Sequence, residues 1–186
     1  MSDLKKLDAL FIALSGKEDK ARYAAFKELC QMTEGKADWI YDKFYELAEK
    51  LTSENSYQRS IGFTLLANLS KSDSENRILK ISTRLLNILD DEKFITARLA
   101  IQNVWKFAVG ISEMKKNVLA ALTTAYYESR HLAAHPNLIR GDIILSLRNI
   151  YDFYKDEDIL NEVKKMIEEE NDLKTKKALL KTAGLK

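Results

Sequence analysis

The sequence predicts an all-α protein, an array of about five two-helix repeats in one domain spanning residues 1–186. Three observations carry this. The chain holds one proline and only six glycines in 186 residues. A sheet protein needs tight turns, and those turns need Gly, Pro, Asn and Asp. Leu, Ala, Lys and Glu dominate instead, and these are strong helix formers. Apolar residues then recur at helical spacing along most of the chain. Finally, a basic residue returns about every forty positions with similar neighbours each time, which is how repeat arrays look in sequence.

The elements follow in chain order. Leu4, Leu7, Phe11 and Leu14 fall at helical spacing with charges between them, predicting an amphipathic first helix. Asp8 interrupts the apolar run, so the segment does not read as a signal peptide. Second-class helices are expected near 36–52, 74–90, 112–131 and 157–170. Ser72-x-x-Glu75 predicts a capping box at the start of one of them. Gly35 and Gly110 are expected to end helices in left-handed backbone. Pro136 is placed to begin one. Between these helices lie the repeated segments, keyed on Arg22, Arg59, Arg98, Arg140 and Lys176 at intervals of 37, 39, 42 and 36. Three places after the basic residue sits Ala25, Gly62, Ile101, Ile143 or Leu179, and seven places after it Leu29, Leu66, Trp105, Leu147 or Ala183. The repeats divide near 1–34, 35–71, 72–110, 111–155 and 156–186.

This pattern, Arg-x-x-small-x-x-x-Leu at a spacing near forty, resembles the inner helix of HEAT repeats over essentially the whole chain. The resemblance implies a right-handed α-solenoid, with the Arg-bearing helices on its concave side. It also implies an acidic partner beside each Arg, for which Asp19, Glu54, Asp91 and Asn137 are the nearest residues. The proline common before the inner helix is missing except at Pro136, and the last copy has Lys176 in place of Arg.

On a helical wheel the positions three, four, seven and eleven after the Arg lie within about 60° of it and are apolar. The basic residues are therefore expected to be structural, with packed stems and paired heads. The opposite stripe is polar and rich in amides. It points to Lys27, Thr64, Asn68, Asn103, Lys106, Arg148 and Asn149 as partner-binding residues, interrupted only by Phe107 and Leu145. Trp105 falls on the core side of the same wheel.

Charge and chemistry narrow the function. Thirty basic and 28 acidic side chains leave a net charge of +2, which disfavours a dedicated nucleic-acid binder. Cys30 is the only cysteine, so no internal disulfide can form, in keeping with a reducing, cytoplasmic setting. His131, His135 and Glu128 have metal-like spacing, but His135 precedes Pro136, and a residue before proline avoids helical backbone. No phosphate loop or nucleophile motif is present. The aromatic clusters Tyr126-Tyr127 and Tyr151 to Tyr154 read as packing, and Glu168 to Glu170 as a solvated end. The expectation is a monomeric, non-catalytic scaffold with no metal and no cofactor, binding a protein or peptide on its concave face and no membrane. The runner-up is a DNA-binding or alkylpurine DNA glycosylase-type protein built on HEAT-like repeats. For that chemistry Trp105, Asp142 and Arg148 are the right residue types.

Overall fold

A computed structural model describes residues 3–185. The described residues form helices joined by turns and short loops, with no strand. Twelve helices occur among them: α1 (Asp3–Ser15), α2 (Asp19–Met32), α3 (Ile40–Lys50), α4 (Ser56–Leu69), α5 (Arg77–Lys80), α6 (Ser82–Asn87), α7 (Phe94–Asn103), α8 (Trp105–Gly110), α9 (Lys115–Glu128), α10 (Pro136–Tyr154), α11 (Glu157–Glu168) and α12 (Leu173–Ala183). None of them is long and apolar enough to cross a membrane.

The helices pair along the chain. α1 packs on α2, α3 on α4, α9 on α8 and α10, and α11 on α10 and α12. In the third pair, α5, α6 and a 3-10 turn at Ile88–Asp90 stand where one longer helix was expected. The second helices form their own succession: α2 touches α4, α4 touches α7, α7 touches α10 and α10 touches α12. The buried apolar side chains make one connected cluster from Leu7 to Ala183. Leu7, Phe11 and Leu14 bury the predicted face of α1, while Leu4 stays exposed. At the α3–α4 crossing, Gly62 is required by close approach. A Cβ there would sit 2.8 Å from both the Leu47 carbonyl oxygen and the Lys50 Cβ.

Three of the repeated basic residues, Arg59, Arg98 and Arg140, reach carboxylates of the following helix pair. Arg59 meets Asp91 through Nε at 2.6 Å and Nη2 at 2.7 Å, and donates from Nη1 to the Ser53 and Glu54 carbonyls at 2.8 and 3.0 Å. Arg98 reaches Asp142 on α10 at 2.5 Å, and Arg140 reaches Glu170 at 2.6 Å. Lys176 donates to the Glu168 carbonyl at 2.8 Å. Only Arg22 uses its local carboxylate, Asp19, together with the Gly16 carbonyl at 3.0 Å.

Several local expectations are corrected. Asp91 serves the Arg of the preceding pair, and Arg98 reaches forward to Asp142 on α10 instead. Glu54 offers only its main-chain carbonyl, and Asn137 accepts from the Thr175 hydroxyl. Glu170 is not a solvated end residue. Its side chain is 8% exposed because Arg140 covers it. The capping box does not form, since Asp73 stands closer to the helix start. It caps the Arg77 and Ile78 amides at 3.1 and 2.7 Å, while Ser72 accepts from the Ala37 amide. Neither Gly35 nor Gly110 is left-handed; Asn76, Lys155 and Gly184 are, among the described residues. Gly110 is needed for space, because a Cβ would collide with Ser70 and lie 2.8 Å from the Lys71 amide nitrogen. Pro136 does open α10, at its first turn.

Candidate binding groove

The first wall of the groove comes from α2. Tyr23, Phe26, Lys27, Cys30 and Gln31 share one face because they are three, four, seven and eight residues apart. Thr64 and Asn68 of α4 are one turn apart and form the floor, with Lys71 just beyond. Trp105, Lys106 and Val109 of α8 form the facing wall, and Phe153 near the end of α10 closes one side. These residues enclose a cleft of about 960 Å³. A second cleft of about 860 Å³ adjoins it and shares Tyr23, Phe26, Cys30 and Thr64. Its remaining lining is more apolar, with Tyr57, Ile61, Phe94, Ile95 and Leu99. Both volumes lie in the range that accommodates ligand side chains.

A hydrogen-bonded chain crosses the floor and joins α2, α4, α7 and α8. The Lys106 ammonium donates to the side-chain oxygens of Asn68 and Asn103, each at 2.7 Å. The Asn68 amide donates to the Thr33 hydroxyl at 3.1 Å, and that hydroxyl donates to the Leu29 and Cys30 carbonyls at 2.9 Å. The Asn103 amide donates to the Leu99 carbonyl at 2.9 Å. Burial pushes the Lys106 pKa below its ordinary value, and the nearby Lys71 charge adds to this while Cys30 opposes it. Burial likewise pushes the Cys30 thiol up, against the pull of Lys106. A buried thiol held protonated is a poor nucleophile.

The seven residues expected to bind a partner are distributed unevenly. Lys27, Thr64, Asn68 and Lys106 line the first cleft, and Thr64 and Asn103 the second. Arg148 and Asn149 line neither. Arg148 is tied to Asp152 at 2.9 Å and to the Ala183 carbonyl. The amides of Asn68 and Asn103 are engaged inside the protein rather than presented to a ligand, because Lys106 needs acceptors once it is partly desolvated. Trp105 and Phe107 exchange the places expected of them. The helix breaks at Val104, whose carbonyl accepts from the Phe107 amide at 3.0 Å in an i to i+3 bond. An unbroken wheel therefore does not hold across it. Phe107 is fully buried, edge-on to Phe63 at 5.4 Å, and Trp105 looks into the cleft. Sequence reasoning missed the aromatic walls. The available signal was the run Tyr23, Phe26 and Cys30 on α2, of which Tyr23 is 54% exposed.

The residues considered for chemistry do not meet. Asp142 is buried against Arg98 and accepts from Gln102 at 2.9 Å, and neither it nor Arg148 lines the cleft that holds Trp105. His131 contacts the Asp91 carbonyl at 2.7 Å, and His135 stacks on Phe94 at 4.0 Å, beyond the end of α9. Among the described residues, no group of three or more His, Cys, Asp or Glu is placed to hold a metal. No protein-family model matches the chain, and no curated protein is significantly similar to it.

Proposed function

We propose that this chain is a short HEAT-like α-solenoid that holds an extended segment of a partner protein on its concave face. The Arg spacing and the stepwise contacts of α2, α4, α7, α10 and α12 support the solenoid. The observation that carries the binding reading is the pair of adjoining clefts. They adjoin over three successive second helices, with apolar walls and a polar floor, an arrangement that suits a chain segment better than a compact metabolite. Binding rather than turnover is supported by the internal engagement of Lys106 and the protonated thiol of Cys30.

The test is selection of random displayed peptides on the immobilised protein, followed by a Thr64→Phe variant. Thr64 lines both clefts, so a phenyl ring there fills their junction. Enriched peptides are expected to compete with one another and to lose about tenfold or more in affinity for the variant, with its thermal melt unchanged. Peptides that bind wild type and variant alike would place the site elsewhere.

A further inference from the structure

The two clefts differ in charge. Lys27, Lys71 and Lys106 line the first, against a single carboxylate, Glu34. That carboxylate does not neutralise the floor, because Lys71 bonds the Glu34 main-chain carbonyl instead. Among the described residues, the Lys106 ammonium has two amide oxygens as its acceptors. In the second cleft the charges cancel locally: Lys93 lies 3.6 Å from Glu92, which also faces Arg59 at 3.8 Å. What remains there is an apolar lining that includes Ile95, 61% exposed.

We infer that the partner segment is acidic and carries an apolar anchor, its carboxylates meeting Lys106 and Lys71 in the first cleft and an aromatic or branched side chain entering the second. This rests on the peptide-binding reading above. A partly desolvated ammonium beside a second cation is held at a cost, and a carboxylate removes that cost by supplying the missing counter-charge. A basic segment would add a further positive charge to a cleft already lined by three lysines. The depressed Lys106 pKa fits the same geometry, since burial acts there with no carboxylate to offset it.

The experiment is the same peptide selection, on random peptides of about twelve residues, with the enriched sequences resynthesised. Enriched peptides are expected to pair Asp or Glu with Phe, Trp or Leu. Replacing their carboxylates by Asn or Gln should weaken binding about tenfold or more, and raising the salt should weaken it further. Lys106→Gln should have a similar effect, and Lys71→Gln provides a second variant outside the internal amide chain. Trp105 emission, read in a Trp39→Phe background, should shift on binding. Neutral or basic winners, or winners indifferent to both lysine variants, would overturn the acidic assignment while leaving the groove in place. No enriched peptide at all would sink both readings. Displacement of the peptides by oligothymidine at lower concentration would overturn the assignment in favour of nucleic acid.

Discussion

Arg59 and Asp91 are joined by two hydrogen bonds, and two loop carbonyls complete the guanidinium. Their side chains are 10% and 5% exposed, so neither charge has water to fall back on. Burial alone pushes the Asp91 carboxyl up. The Arg59 hydrogen bond, the Lys93 amide and the charges of Arg59 and Arg130 outweigh it and hold the pKa below the ordinary carboxylate range. A carboxylate depressed in the fold contributes stability that is complete above its unfolded pKa and is lost as pH falls through the folded value. Asp91→Asn should therefore lower the stability by about 3 kcal/mol at neutral pH, the scale for breaking a buried pair. The difference from wild type should shrink as pH falls below about 4. Urea unfolding across that range measures it, and a gap independent of pH would show that the pair is not what holds Asp91. Asp19 was legible in sequence as the partner of Arg22. The carboxylates that meet Arg59, Arg98 and Arg140 were not, because each lies on the following helix pair.

At the scale of helices, two glycines with the same propensity cost have opposite expected effects. Gly62 of α4 lies against the backbone of α3, whereas an added Cβ at Gly141 of α10 meets nothing within 4 Å. Replacing a helical glycine by alanine favours the helix by up to about 1 kcal/mol. Gly141→Ala should gain roughly that amount. Gly62→Ala should lose about 1–3 kcal/mol despite the same gain, because the two helices must part. Thermal melts of the two variants give the signs directly, and stabilisation by both would refute the close α3–α4 contact. Positions of most helices were legible from periodicity, as was the start set by Pro136. The break at Val104 was not, since nothing in the alternation of Asn103, Val104 and Trp105 marks it. Just beyond it, Phe107 lies in the core and Trp105 lines the cleft.

For the molecule as a whole, the stepwise contacts imply that protection depends on position in the chain. α4, α7 and α10 each pack on a second helix both before and after them, while α1 and α12 belong to the terminal pairs. Amide hydrogen exchange should accordingly be slowest in α4 and α10 and fastest in α1 and α12, with α5 and α6 also fast because each is under two turns long. Uniform protection along the chain would mean that the pairs unfold as one unit and that nearest-neighbour coupling does not describe it.

Composition and period by themselves determined that this protein is helical and roughly where its helices lie. These are local properties: propensity, capping and the 3.6-residue period act within a few residues, so one chain displays them without its fold. Only the tertiary structure decided which carboxylates meet Arg59, Arg98 and Arg140, that Asn68 and Asn103 of the expected binding stripe are bound internally by Lys106, and that aromatic rings wall the groove. Each of those depends on how one helix is rotated against the next. A wheel drawn for an isolated helix has no access to that angle, because neighbouring side chains and a single broken turn set it.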